Sequence, residues 1–331
     1  MMSNQMTKME RIQAVINGEE LDIPPISMWR HFFREEPYIN KLTEALIGFQ
    51  RQFNWDFAKI NPRANFMVED WGVKDNYYDN DYKAPETVDW PVKSISDWNK
   101  IEPLNPQKGV LGEHLVLLNT ISNNFKGDVP LLMTLFTPLS IAGRLAGNDS
   151  SMKTLLNENP KIIHQILEII TQTFIEFSEE CLNAGASGLF YATTHWGTYN
   201  NMTDQEYNEF GRPYDLKLLN ALPKSIFNIL HVCQSNNMLR SLSDYPVQAF
   251  NWDTREPSNL SLKEGHQITG KVVIGGLGQK TTLPNGTTSD VIEEINDSRL
   301  EMCNKNWILG PGCTFSPETP EENLRVLRTA F

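Results

Sequence analysis

The chain has 331 residues, of which 40% are hydrophobic and 21% are charged, a composition typical of a soluble globular protein with a large core. Its formal net charge of −12 disfavours a nucleic-acid partner, because phosphates require basic surfaces. The sequence has no apolar run of the roughly 20 residues needed to span a membrane, and its N-terminus lacks the apolar stretch of a signal peptide. The four cysteines therefore predict a reducing, cytoplasmic location rather than a disulfide framework.

Short apolar runs alternate with helical patterns along the chain, and each apolar run predicts a β-strand. In the segment 160–184, for example, the apolar residues recur at helical spacing and predict a long amphipathic helix. The eight predicted strands are 26–29, 57–61, 131–136, 188–192, 226–231, 247–252, 272–276 and 307–310.

Eight strands separated by helices favour a (β/α)₈ TIM barrel that forms a single domain over residues 1–331. Several of the runs are continuously apolar, as expected for parallel strands covered on both faces. A doubly wound sheet is the alternative, but no glycine-rich dinucleotide-binding turn follows the first strand, and the glycines of 275–278 come too late. Residues 62–108 are rich in Asp, Asn, Tyr, Trp and Pro, and this composition predicts an extended loop region after strand 2 that partly covers the barrel mouth. A packed surface excursion without a ligand role is the alternative for that region.

Three metal-ligating side chains follow two of the predicted strands. His231 and Cys233 end the fifth strand, and Cys313 ends the eighth. Residues two apart in a strand share a face, and barrel enzymes carry their chemistry at the C-terminal ends of the strands. One histidine and two cysteines that leave a position open are typical of a catalytic zinc site. The alternative is an ordinary buried histidine with two inert cysteines, as Cys181 and Cys303 are predicted to be in helical segments.

Other polar residues near the predicted mouth are candidates for roles beside the metal. Water, a substrate heteroatom or a carboxylate could take the fourth position, and the candidate carboxylates are Glu206, Glu209 and Asp253. Asp253 ends the sixth strand and could instead orient His231 or bind substrate. His195 follows the fourth strand and could orient substrate or move a proton, although a hydrogen-bonded loop histidine is the alternative. His31 is a further candidate for a catalytic role.

Motifs along nearly the whole chain resemble the uroporphyrinogen decarboxylase superfamily, which includes the zinc-dependent methylcobamide:thiol methyltransferases. This resemblance implies the barrel fold. The matching segments are 11–19, 24–30, 210–214, 251–253, 310–313 and 319–323.

Two branches of this superfamily differ in their site residues. The decarboxylases hold substrate carboxylates with two arginines after the first strand, and Arg30 and Arg34 match those positions. However, the stretch 61–65 has no match for the aspartate that binds the pyrrole nitrogens. The Gly-His-Gly turn after the last decarboxylase strand is replaced here by Gly-Cys-Thr at 312–314. These departures argue against porphyrinogen decarboxylation.

The methyltransferase branch uses a His-x-Cys motif and a distant cysteine as zinc ligands, and His231, Cys233 and Cys313 match them. The resemblance implies methyl transfer between a corrinoid, methylcobalamin on a partner protein, and a small thiol-type acceptor. Arg30 and Arg34 would anchor an anionic group of the substrate, although an ion pair of Arg34 with a neighbouring glutamate is the alternative. Uroporphyrinogen decarboxylation and a non-catalytic corrinoid-pathway binding protein are the alternative functions. A homodimer stays open as the oligomeric state.

Overall fold

A parallel sheet of seven strands forms the centre of the protein, in a computed structural model that describes residues 5–224, 227–303 and 305–331. The strands of the chain are β1 (Ala58–Ile60), β2 (Lys74–Asn76), β3 (Glu86–Asp89), β4 (Leu131–Phe136), β5 (Gly188–Ala192), β6 (Ile229–His231), β7 (Ala249–Asn251), β8 (Val272–Leu277) and β9 (Trp307–Pro311). The sheet order β1-β4-β5-β6-β7-β8-β9 follows the chain order, and each neighbouring pair is parallel. This order lacks the reversal of a doubly wound sheet, so that alternative is wrong.

Helices connect the strands, as the alternating pattern predicts. The predicted helix 160–184 is confirmed, with a proline at its first turn and buried apolar residues along one face. The helices are α1 (Lys8–Asn17), α2 (Ile39–Phe53), α3 (Phe66–Glu69), α4 (Gly109–Phe125), α5 (Pro138–Ala146), α6 (Asp149–Glu158), α7 (Pro160–Asn183), α8 (Asp204–Phe210), α9 (Arg212–Ala221), α10 (Leu262–Thr269), α11 (Thr282–Asn285), α12 (Thr288–Met302) and α13 (Glu321–Thr329), with 3₁₀ turns at Ile95–Lys100 and Thr194–Gly197. Within the described residues, no helix is long and apolar enough to cross a membrane.

Alternation along the strands separates the apolar side chains into two cores. One face of the sheet carries a small buried cluster that includes Leu132, Phe190, Ile229 and Ile308. The neighbouring residues in the same strands point to the opposite face and join the large cluster beneath the helices. Both faces are therefore apolar, which explains why these strands are continuous apolar runs in the sequence.

Seven of the eight predicted strands are present, with 131–136 and 188–192 at their predicted ends and the other five with shifted ends, and the first one is reduced to isolated bridges. Ile26 pairs in parallel with Leu309, and the Ser27 amide donates to the Leu309 carbonyl at 3.0 Å. On the other side, the Asp56 amide donates to the Ile26 carbonyl at 2.8 Å. The segment around Ile26 thus lies between β9 and the residues that lead into β1. Pro25 has no amide hydrogen to donate, which limits the ladder here. Ile226, the first residue of the predicted strand 226–231, lies outside the described residues.

The region 62–108 contains short elements of regular secondary structure and is not one long loop. It contains α3, the antiparallel hairpin β2–β3 and the 3₁₀ turn Ile95–Lys100. The hairpin strands are short and polar, so the sequence gives no apolar alternation that would predict them. Asn65 donates to Asp75 of the hairpin at 2.8 Å, and Asp70 accepts from the Val110 amide at the start of α4. These bonds fix the region against the body of the protein.

A buried ion-pair network joins the two ends of the chain beneath the sheet. Arg11 in α1 is nearly fully buried and contacts Asp22 at 2.7 Å and Asp56 at 2.5 Å. Arg328 in α13 reaches the other oxygen of Asp56 at 2.9 Å, and that oxygen also accepts from the Ile26 amide. The hydrogen bonds from Arg11 lower the pKa of Asp22 to about 2. This network holds the Ile26 segment at the sheet edge.

Candidate metal centre

Three potential metal ligands converge where β6 and β9 end. His231 is the last residue of β6, Cys233 follows two residues later, and Cys313 lies two residues after β9. Their ligand atoms all lie within 4.8 Å of one another, and the two Sγ atoms are 3.8 Å apart. Two thiolates bound to one tetrahedral zinc at roughly 2.3 Å each would lie about 3.8 Å apart. The donor types and the sulfur–sulfur spacing therefore fit a tetrahedral ion such as Zn²⁺.

Hydrogen bonds fix the His231 ring so that one nitrogen is left for a ligand. Nδ1 lies 2.6 Å from Oδ1 of Asn251, the last residue of β7. The Asn251 amide nitrogen donates to the carbonyls of Ile274 and Pro311, both at 3.0 Å, so Oδ1 must be the acceptor. His231 therefore carries its proton on Nδ1 and presents the Nε2 lone pair. A neutral imidazole oriented by an amide is suited to metal binding.

The two cysteines of the cluster are in contact, and each shifts the pKa of the other. The hydrogen bond from Cys233 holds the pKa of Cys313 well below its usual value. The same hydrogen bond, together with burial, raises the pKa of Cys233. Thiolates rather than thiols bind metals, and the lowered pKa of Cys313 favours its thiolate. The other two cysteines lie elsewhere: Cys181 is fully buried as predicted, whereas Cys303 is exposed at the end of α12, so its predicted burial is wrong.

A cavity of about 250 Å³ opens above these ligands. Three basic residues line it, and none of its described lining residues is an aspartate or a glutamate, although the whole chain has a net charge of −12. The lining residues include Trp29, His31, Lys59, Asn61, Arg63, Met67, Thr134, Phe136, Arg144, Phe190, His195, His231, Cys233, Cys313 and Thr314. The cavity wall is therefore positively charged, and it suits a small anionic molecule.

Lys59 in β1 is the first of these basic residues, and it is buried. Its Nζ donates to Oδ1 of Asn61 and lies 4.8 Å from the centre of the Phe190 ring. Burial lowers the pKa of Lys59 to about 7, partly offset by the nearby charges of Cys313 and Glu36. The protein compensates only partly for the desolvation of this ammonium, and such a shifted pKa is typical of a functional position.

Arg144 in α5 is the second basic residue with donors to spare. It donates to Oδ1 of Asn65, and its guanidinium carbon lies 4.7 Å from the centre of the Phe136 ring. Asn65 is itself oriented by its bond to Asp75 of the hairpin. No carboxylate of the described residues lies within ion-pair distance of Arg144, and burial lowers its pKa to about 10. By contrast, Arg63 is paired with Glu69 at 2.7 Å.

The two arginines predicted to anchor substrate lie away from this cavity. Arg30 donates to the Pro317 carbonyl at 3.2 Å, and its guanidinium lies over the Phe32 ring. Arg34 has a side chain that is 48% exposed, and it pairs with Asp79 at 3.0 Å and Asp81 at 3.4 Å. Its ion-pair partners thus belong to the loop of the β2–β3 hairpin rather than to its neighbouring glutamates. Neither arginine is among the described residues that line the cavity.

The candidate carboxylate ligands do not join the metal cluster of the described residues. Glu206 closes the capping box of α8, and Glu209 lies 3.7 Å from His164. Asp253 accepts from Nε2 of Gln279 at 2.5 Å, and Oε1 of Gln279 accepts from the Gly312 amide at 3.0 Å. Asp253 therefore helps to hold the turn that carries Cys313, because Gln279 links it to Gly312, the residue before that ligand.

Both predicted mouth histidines line the cavity. His195 is 43% exposed, and its Nε2 lies 2.9 Å from Asp149. His31 is 26% exposed, and its Nδ1 lies 2.6 Å from Oε1 of the fully buried Glu36. Sequence reasoning missed Lys59, Arg144, Asn251 and Glu36. Lys59 could have been found as the one charged residue within a predicted buried strand, whereas Arg144 lies in an ordinary helical pattern without a signal.

Comparisons with known proteins show which family and relatives this chain resembles. The family model described as uroporphyrinogen decarboxylase (URO-D) matches residues 38–331. A methylated-thiol–coenzyme M methyltransferase of Methanosarcina mazei is 25% identical over 74% of this chain, and the match spans 61% of that relative's length. A methylcobamide:CoM methyltransferase of Methanosarcina acetivorans is 21% identical over 74% of this chain and 70% of its own length. A uroporphyrinogen decarboxylase of Prochlorococcus marinus is 22% identical over 93% of this chain and 92% of its own length.

Solved structures show the same fold at low identity. A methyltransferase from Methanosarcina mazei superposes with a TM-score of 0.84 at 19% identity, covering 98% of both chains. A B12-independent methionine synthase from Shewanella has a TM-score of 0.61 at 12% identity, covering 93% of this chain and 95% of its own. With its α/β fold and a family match over most of its length, this chain belongs to the uroporphyrinogen decarboxylase (URO-D) family.

Proposed function

We propose that this protein is a methyltransferase that moves a methyl group between a corrinoid and a small thiol. The corrinoid would be methylcobalamin on a partner protein, and His231, Cys233 and Cys313 would hold Zn²⁺. The observation that carries the proposal is the convergence of these three donors in the wall of a cavity that is also lined by three basic residues. Relatives named as coenzyme M methyltransferases support it. We further propose that residues 1–331 form one domain in which the Ile26 segment closes the sheet into an eight-stranded barrel.

The donor set leaves room for a substrate. Zn²⁺ prefers four ligands, and the described residues offer three. When bound, zinc would supply Lewis acidity that lowers the pKa of an acceptor thiol in the fourth position. Asn251 keeps His231 in the ligating tautomer, and the Asp253–Gln279–Gly312 chain of hydrogen bonds holds Cys313 in place. The protein therefore positions its donors before any ligand arrives.

The basic wall of the cavity supports an acceptor that carries an acidic group. We place that group at Arg144 and Lys59, which have donors without a partner among the described residues, in the role that the sequence predicts for Arg30 and Arg34. An acceptor held at both ends, by sulfur and by its anionic group, would be aligned for attack on the methyl carbon. The sulfur–carbon bond would then form, and the corrinoid would supply the methyl group and keep the electron pair of its cobalt–carbon bond.

Decarboxylation of a tetrapyrrole is the second candidate, since uroporphyrinogen decarboxylases match 93% of the chain. The cavity argues against it in two ways. The stretch 61–65 supplies Asn61 and Arg63 to the lining but no aspartate for pyrrole nitrogens. A free thiol pair at the cavity end has no role in a reaction that needs no metal. A non-catalytic corrinoid-binding protein would keep the cavity but show no turnover.

Demethylation of methylcobalamin tests the proposal. Three acceptors of similar size, 2-mercaptoethanesulfonate, 2-mercaptoethanol and cysteamine, differ in carrying a negative, neutral or positive group. We expect zinc-loaded protein to form the methyl thioether fastest with the sulfonate and slowest with cysteamine. Uroporphyrinogen offered in parallel should be returned unchanged. Turnover of uroporphyrinogen without methyl transfer would establish the decarboxylase alternative, and no turnover of either would favour the binding protein.

A further inference from the structure

We propose that His31, supported by the buried carboxylate of Glu36, is the base that takes the proton from the acceptor thiol. This inference rests on the proposed function and assigns a second histidine of the same cavity to it. Binding of a thiol as thiolate must release one proton into a cavity that has no carboxylate among its described lining residues. Among the lining groups that do not serve as ligands, the histidines and Lys59, whose pKa burial lowers to about 7, can accept a proton at neutral pH, and Lys59 is already assigned to the anionic group of the acceptor.

The contact between His31 and Glu36 fixes the proton on one ring nitrogen. Nδ1 of His31 lies 2.6 Å from Oε1 of Glu36, a short distance typical of a hydrogen bond to a charged acceptor. Since a carboxylate accepts, Nδ1 carries the hydrogen and Nε2 keeps its lone pair. The ring is also stacked on Phe33, with centroids 5.0 Å apart and planes 11° from parallel. His31 is therefore held in one orientation with a free basic nitrogen.

Glu36 is a buried charge without a full set of partners. Its side chain is 0% exposed, and Oε1 accepts from His31 and from the Phe32 amide. Oε2 is buried and has no hydrogen-bond partner among the described residues. A buried carboxylate is costly unless a positive charge faces it. An imidazolium at His31 would supply that charge, so the pair is arranged to stabilise the protonated product of the transfer.

The two histidines with fixed Nδ1 atoms in this cavity differ in what they face. His231 donates to Asn251, a neutral amide that leaves its Nε2 for a metal ion. His31 donates to Glu36, a carboxylate that can form an ion pair with an imidazolium. The geometry thus assigns metal binding to His231 and proton acceptance to His31.

The position of His31 also allows the proton to pass from the cavity to solvent. His31 and Thr314 line both the cavity and an outer, more open groove of about 510 Å³. The charged groups on the cavity side are Lys59, Arg63, Arg144, His195 and the cysteine pair, and those on the groove side are Lys280 and Glu318. His31 therefore stands between the reacting sulfur and solvent.

The proposed step is balanced. The sulfur–hydrogen bond of the acceptor breaks, its electron pair stays on sulfur, and the proton binds Nε2 of His31. The resulting imidazolium keeps its Nδ1–H bond to Glu36 and later loses a proton to water in the groove. No oxidant or reductant is required.

Methyl transfer from methylcobalamin to thiols of graded acidity tests this step. We expect His31→Asn to slow transfer roughly 10²-fold for alkylthiols that are protonated near neutral pH, the usual contribution of a general base. Arylthiols that are already ionised should lose less than about threefold, because they bring no proton to remove. Glu36→Gln should show a smaller loss of the same pattern. Added imidazole should partly restore the rate of His31→Ala.

The controls separate a chemical role from a structural one. His266→Asn changes a histidine of α10 outside the cavity and should leave both classes of thiol unaffected. Zinc content should equal that of the wild type in every variant. Equal losses for alkylthiols and arylthiols in His31→Asn would overturn the inference while the function stands. A selective loss for alkylthiols in His195→Asn rather than in His31→Asn would also overturn the inference while the function stands. Wild-type protein that transfers no methyl group to any thiol would overturn the function and the inference together.

Discussion

His231 and Asn251 form a 2.6 Å hydrogen bond between neighbouring strand ends, and this contact decides which histidine nitrogen is free. The bond joins the last residues of β6 and β7, which are directly paired in the parallel register. Asn251 is fully buried and also binds two backbone carbonyls, so it cannot turn its amide without leaving them unpaired. The ligating state of His231 is thus built into the sheet.

Replacing Asn251 should weaken metal binding without changing the ligands. We expect Asn251→Leu to lower zinc affinity roughly 10- to 100-fold, because the imidazole loses the partner that orients it. Asn251→Asp keeps an acceptor for Nδ1 and should retain most of the affinity, although both variants lose the two carbonyl contacts and some stability. Competition with a chromophoric chelator measures the affinity. Equal affinities in Asn251→Leu and the wild type would contradict the assigned role.

Replacing Arg144 should remove the preference for anionic acceptors. A charge-assisted hydrogen bond contributes about 1.5–3 kcal/mol, so Arg144→Met should raise KM for 2-mercaptoethanesulfonate by roughly 10- to 100-fold. The KM for 2-mercaptoethanol should change little. Arg34→Met is the matched control, since Arg34 pairs with the hairpin loop and lies off the cavity. A larger effect at Arg34 than at Arg144 would restore the assignment made from the sequence.

Binding of an anion should weaken as the pH rises through about 7, the pKa to which burial lowers Lys59. Above that pH the amine is neutral and no longer attracts the ligand. Ethanesulfonate has no thiol, so its Kd reports this charge directly, and calorimetry between about pH 6 and pH 9 would measure it. Ethanesulfonamide, which is neutral over most of that range, should bind with little pH dependence. A Kd for ethanesulfonate that is flat with pH, or that keeps its pH dependence in Lys59→Met, would refute the assignment.

The Arg11–Asp22 pair should stabilise the fold above about pH 4. Hydrogen bonds from Arg11 lower the pKa of Asp22 from 3.8 to about 2. A carboxylate with a depressed pKa contributes stability that is present above its unfolded pKa and is lost as the pH falls through the folded one. Asp22→Asn should therefore lower the free energy of unfolding by about 2 kcal/mol at neutral pH. Chemical denaturation should show this gap shrinking between about pH 4 and pH 2, and a gap that stays constant with pH would contradict the account.

The sheet was largely predictable because its strands are marked by their own composition. Runs such as 131–136 and 272–276 are apolar throughout, since both faces of a parallel sheet are covered. The first strand is a different case. Its pairing with Leu309 depends on a partner almost the full length of the chain away, and two prolines, Pro24 and Pro25, directly precede it. The hairpin β2–β3 is polar and exposed, so no periodicity marks it.

The part of the candidate site that could be predicted is the set of metal ligands, because their positions at the strand ends can be read from the sequence. His231 and Cys233 are two apart in an extended segment, and Cys313 follows a buried strand, so their meeting follows from the sheet. The charged wall could not be found in this way. Arg144 reaches the cavity from a helix, and its freedom from an ion pair depends on where distant carboxylates lie. Arg34 is the opposite case. It matches a family position for substrate binding, but it pairs with Asp79 in the hairpin loop, and the sequence did not predict that hairpin.

Metal content under reducing, chelator-free conditions tests the central claim most directly. Protein purified from zinc-supplemented medium should hold about one zinc per chain, the stoichiometry of a single catalytic site. Cys313→Ser should lose it, whereas Cys303→Ser, which changes an exposed cysteine at the end of α12, should retain it. Zinc absent from the wild-type protein, or retained equally by both variants, would contradict the metal centre and the methyltransferase function with it.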